Sequence, residues 1–130
     1  MITKHLLAHK SKAINVSLVY TVLLTFYCLK QSPIPIELPS QSDKILHALA
    51  YFVFTIVWFL AFYFTLKLSR TKSFIYTFLF SVAFGVLIEI LQQQLTTYRE
   101  GDVLDVVANT FGTILALLLL KIIFKRPLNV

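Results

Sequence analysis

Charge is scarce in this chain. Asp, Glu, Lys and Arg make up 14% of its 130 residues and hydrophobic residues 58%, whereas a soluble domain is about 25% charged. That little polar surface does not cover a water-soluble globule, and the mean hydropathy is +0.79. Glycine and proline are also few, at three and four, which argues against collagen-like, disordered and turn-rich all-β chains. With Cys28 as the one cysteine, an internal disulfide is excluded. Set in an apolar run, that thiol reads as a small hydrophobe. Acids are the scarcest charges, six against twelve bases, for a net charge of +6. Nucleic acid is not the implied partner, because the bases flank apolar runs rather than forming a soluble patch.

What the chain has instead is four long apolar runs, approximately 13–29, 45–66, 73–95 and 104–124. Each is near the ~20 residues a helix needs to cross a bilayer, and helices are the default because lipid offers backbone groups no partners. The expectation is therefore an all-α polytopic membrane protein, a single domain over 1–130 with four transmembrane helices in a small bundle. The first run is the least apolar, with Asn15, Ser17, Thr21 and Thr25 inside it. No small-residue cleavage site follows it, so it reads as a retained helix rather than a signal peptide.

The connections predict sidedness. The N-terminal tail (Lys4, Lys10, Lys12), the second connection (Lys67, Arg70, Lys72) and the C-terminal tail (Lys121, Lys125, Arg126) carry nine bases and no acid. The opposite side holds Lys30, Lys44, Arg99 and all six acids. The positive-inside rule then places both termini in the cytoplasm. The first outer connection, with Pro33, Pro35 and Pro39, should be extended, and the short one at 96–101 makes the last two helices a hairpin.

Polar residues gather at the outer ends. The second helix begins with Asp43, Lys44, His47 and Tyr51; the third ends with Glu89 and Gln92; the fourth begins with Asp102, Asp105 and Asn109. Spacings of three and four place neighbours in these sets on shared faces. At 1.5 Å per residue, His47 lies ~6 Å below Asp43, Glu89 ~9 Å below Leu95 and Asn109 ~10 Å below Asp102. An ionised Glu89 facing lipid would cost on the order of 2–3 kcal/mol. Facing one another, these groups can line an outward-open pocket, with Arg99 over it. Plainer roles compete: Asp43, Asp102 and Asp105 have the positions of helix caps, Lys44 can snorkel, and His47 can simply bridge helices. Nothing polar is expected to continue through the cytoplasmic half.

Gly85, Ala108, Gly112 and Ala116 read as packing positions where helix backbones approach. The 12 Phe and 6 Tyr read mostly as lipid-facing bulk and interfacial belt, with no cofactor box.

The ordered elements Asp43-Lys44-x-x-His47-x-x-x-Tyr51, Glu89-x-x-Gln92 and Arg99-x-x-Asp102-x-x-Asp105-x-x-x-Asn109-x-x-Gly112 resemble the VanZ-like family of small bacterial membrane proteins, over roughly 43–120. The resemblance implies a bacterial cytoplasmic-membrane protein associated with the cell envelope. Antibiotic resistance belongs to the teicoplanin-resistance namesake and need not transfer.

Three functions follow. The first is binding of an envelope lipid or precursor, or service as an accessory subunit of an envelope complex; membrane lipids are the expected partners. The second is an intramembrane enzyme on a lipid-linked substrate, with His47, Glu89 and Asp105 as catalytic candidates and Arg99 stabilising an anion. The third is a proton-coupled transporter. One outer histidine among scattered carboxylates is a weak metal pattern, so no metal and no cofactor are expected.

Overall fold

The computed structural model describes residues 2–29, 40–95 and 103–125, and the side chains within 12–29, 44–95 and 103–125. It contains α1 (Ile2–Leu29), α2 (Ser40–Leu60) continued by a π-helical turn (Ala61–Thr65), α3 (Arg70–Leu95) and α4 (Val103–Ile123). All four helices are long and apolar enough to cross a membrane. The helices outrun the apolar runs at several ends: α1 starts at Ile2 and α2 at Ser40. Hydropathy marks what prefers lipid, while helix propensity carries the coil on through polar residues such as Lys10 and Lys12.

The connection from α2 to α3 is short and locally determined. Wide-turn bonds run from Leu66 N–H to Ala61 O and from Leu68 N–H to Phe62 O, each 3.1 Å. Lys67 then adopts φ 55°, the left-handed position that stops a helix. Ser69 Oγ accepts from Lys72 N–H at 3.2 Å, capping the start of α3.

α2 is the hub, packing against α1, α3 and, most extensively, α4. Gly112 explains the last contact. A Cβ placed there would lie 2.0 Å from the Ala48 carbonyl oxygen, so the two backbones touch where α4 has no side chain.

The aromatic residues depart from the lipid-facing expectation. Tyr51, Phe54 and Phe59 are fully buried and Trp58 is nearly so. Phe54 stacks on Phe84 with ring centroids 4.9 Å apart, and Trp58 meets Phe80 edge-on at 4.8 Å. Phe59 packs on Phe74 at 4.7 Å and on Phe124 at 5.4 Å. Rings fill a core between helices as readily as they face acyl chains, and paired rings gain from their quadrupoles.

Three polar residues of α1, Ser17, Tyr20 and Thr21, attach it to α2. Ser17 Oγ lies 2.7 Å from the Val57 carbonyl and 2.8 Å from that of Ala13, sharing one proton between them. Tyr20 donates to the Ala50 carbonyl at 2.6 Å. Trp58 Nε1 donates to Thr21 Oγ1 at 2.9 Å. Each of these bonds is worth on the order of 1 kcal/mol. Tyr20→Phe should therefore lower stability by about 1 kcal/mol, read by thermal unfolding in detergent. An unchanged midpoint would mean that the Tyr20 bond adds nothing to the attachment of α1.

Candidate functional site

Periodicity positions the site. His47, Tyr51 and Thr55 recur every four residues on α2, as do Ser73, Thr77, Ser81, Gly85 and Glu89 on α3, and Asp105, Asn109 and Thr113 on α4. Every one of these residues is buried. Three four-residue stripes therefore face one another along the bundle.

At the end where α2 and α4 begin, Asp105 lies between two cationic or basic groups. Its Oδ1 is 3.7 Å from Lys44 Nζ and its Oδ2 is 3.9 Å from His47 Nε2. Lys44 is the more exposed partner, at 36% of its side-chain surface against 7% for His47. Asp105 is in the first turn of α4, where a carboxylate also meets the positive end of the helix dipole. Its place in the first turn and its place in the cluster coincide.

One turn deeper, Tyr51 and Asn109 come together over Gly85. A Cβ on Gly85 would lie 3.4 Å from both Asn109 Nδ2 and Tyr51 Cε1, so the glycine leaves space for these two side chains. The Tyr51 hydroxyl and the Asn109 amide oxygen are buried and have no hydrogen-bond partner among the described residues. Polar atoms left in that state typically cost ~1–3 kcal/mol each. A cavity of about 20 Å³ adjoins Tyr51 and His47 and is lined on its other side by Leu24 and Cys28 of α1, enough for about one water.

Glu89 is buried on α3, and Gln92 donates from Nε2 to the Cys28 carbonyl at 3.0 Å, anchoring α3 to α1 beside the cluster. Ala116 is buried and Ala108 half-buried along α4. The side chain of Asp43, and Arg99 and Asp102 altogether, lie outside the described residues. Among the described residues, no group of three His, Cys, Asp or Glu is placed to hold a metal.

The polar stripe does not stop at the cluster, contrary to the expectation of an apolar inner half. Thr55 donates to the Tyr51 carbonyl at 2.6 Å and meets Ser81 Oγ at 3.2 Å and Thr113 Oγ1 at 3.1 Å. This triad sits midway along the helices. Thr77 and Ser73, both fully buried, continue it along α3. Single hydroxyls in apolar runs are unremarkable in sequence, because each can bond its own helix. Only the relative rotation of three helices reveals that they meet.

A family model described as VanZ/LLP1 matches residues 10–124. The chain belongs to the VanZ/LLP1 family. The match includes α1 from residue 10 onward as well as the three helices that carry the polar stripes. This VanZ/LLP1 chain is also 38% identical over 97 residues to an uncharacterised protein of Schizosaccharomyces pombe, covering 75% of the chain. It spans about half, 54%, of that relative's length. No solved structure matches it.

Proposed function

We propose that the outer end of this multi-pass VanZ/LLP1 protein binds the polar headgroup of an envelope lipid or lipid-linked precursor, alone or as an accessory subunit of an envelope complex. In this reading the membrane is the bacterial cytoplasmic membrane and both termini lie in the cytoplasm. The observation that carries the proposal is that the Tyr51 hydroxyl and the Asn109 amide oxygen, on two side chains that meet beside Gly85, are buried with no hydrogen-bond partner among the described residues. These atoms lie one helical turn below His47 and Asp105 and about two below Lys44. A headgroup donor would meet the Asn109 oxygen, while Lys44 supplies a positive charge at the rim.

Tyr51→Phe separates binding from folding. Removing an unbonded buried hydroxyl should leave the unfolding midpoint unchanged or slightly higher. Retention of co-purifying lipid, followed by native mass spectrometry from mild detergent, should fall about tenfold. Unchanged retention would defeat the proposal, and so would a loss explained by a drop in stability.

A second reading is favoured by the His47–Asp105 approach at 3.9 Å. A buried imidazole beside a carboxylate is the arrangement of a general base with an orienting partner. Glu89 would then act as the acid on a lipid-linked substrate. Turnover abolished in Glu89→Gln, with lipid retention intact, would move the assignment from binding protein to enzyme.

A further inference from the structure

The opposite, basic end carries a second feature that the pocket reading does not use. A groove of about 440 Å³ runs between α3 and α4, within the ~300–1,000 Å³ typical of small-ligand clefts. Phe74 and Ile75 form one wall, Ile114 and Leu118 the other, and Arg70 and Lys121 stand at one end. From Ile114 to Lys121 the groove extends ~10 Å, compared with ~15 Å for the hydrocarbon of one leaflet. Its floor and walls are apolar and its mouth is doubly cationic.

Arg70 is held in place. Its Nη1 donates to the Phe124 and Lys125 carbonyls, both at 2.6 Å, satisfying the open C-terminal end of α4 and offsetting the negative end of its dipole. Nε and Nη2 of the same planar fork remain for another acceptor. Lys67, Lys72 and Lys125 surround this end, and all six acids are elsewhere in the chain.

We propose that this groove is a binding site for an anionic phospholipid of the leaflet at the basic end. The phosphate sits between Arg70 and Lys121, and one acyl chain lies along Ile75, Ile114 and Leu118. Charge complementarity selects the headgroup, because a zwitterionic lipid offers the two cations no net charge. The groove between two helices sets this site apart from the general attraction of basic loops to an anionic surface.

Native mass spectrometry of the full chain, titrated with phosphatidylglycerol or phosphatidylcholine, tests the assignment. The wild type should bind phosphatidylglycerol more tightly. Lys121→Glu should weaken that binding on the order of tenfold, while Lys12→Glu, with the same change in net charge, should not. Ile114→Trp, which fills the groove without altering charge, should also weaken it and serves if Lys121→Glu fails to fold. Equal loss in Lys12→Glu and Lys121→Glu would reduce the effect to surface charge and overturn the site. Equal affinity for the two lipids would do the same, as would a stable dimer with this groove protected at its interface.

Discussion

Gly112→Ala should unfold this protein or strip most of it from the membrane fraction. The added Cβ would lie 2.0 Å from the Ala48 carbonyl oxygen and 2.8 Å from its carbon. Neither atom belongs to a flexible side chain, so α2 and α4 must separate along the most extensive helix pair in the bundle. Overpacking of this kind costs ~1–3 kcal/mol where neighbours can adjust, and here the neighbour is backbone. A loss of about 3 kcal/mol or more is expected by thermal or denaturant unfolding in detergent. Ala48 is next to His47, so separation at this point also moves His47 and Lys44 away from Asp105. Gly85→Ala is the matched control. Its new Cβ would be 3.4 Å from the Asn109 and Tyr51 side chains, and the expected cost is under ~1 kcal/mol. Equal effects of the two alanines would mean that the α2–α4 approach is not set by Gly112.

Asp105→Ala should have the largest effect within the site. It leaves the nearly buried His47, and the partly exposed Lys44, without the carboxylate that lies 3.9 and 3.7 Å from them. Removing one member of a buried charged group costs ~3–5 kcal/mol; the exposure of Lys44 lowers the expectation here to about 2 kcal/mol. Asp105→Asn keeps the shape and one oxygen acceptor but removes the charge. It should recover most of the stability while leaving lipid retention down at least tenfold. Unfolding midpoints and native mass spectrometry on both variants separate the two effects. If Asp105→Asn binds lipid like the wild type, the carboxylate is a helix cap and bridge rather than part of a ligand site.

Much of the site was legible before the fold. Glu89 drew attention because a carboxyl in an apolar helix is costly against lipid, and the structure buries it. Counting rise per residue puts His47, Glu89 and Asn109 at a similar depth, and the structure buries all three, with Asp105 within 4 Å of both Lys44 and His47. Gln92 also stood out, but its bond to the Cys28 carbonyl on α1 could not be anticipated, since nothing in the polar pattern of α3 indicates where α1 packs. The aromatic core was missed for a related reason. Phe54, Phe59 and Trp58 have the same hydropathy whether they meet rings or acyl chains.

The amino-acid sequence by itself determined that the chain enters lipid, that it does so as four helices, and that its acids collect at one end and its unpaired excess of bases at the other. Those features depend on transfer energies and rise per residue, which are local. Tertiary structure alone decided which faces turn inward: Gly112 against Ala48, the Thr55–Ser81–Thr113 triad, the stacked rings, and the groove under Arg70 and Lys121. In water an amphipathic stripe announces the buried face of a helix. In a membrane the core and the surrounding solvent are both apolar, so hydrophobicity does not distinguish inside from outside, and helix rotation is set by packing and a few hydrogen bonds.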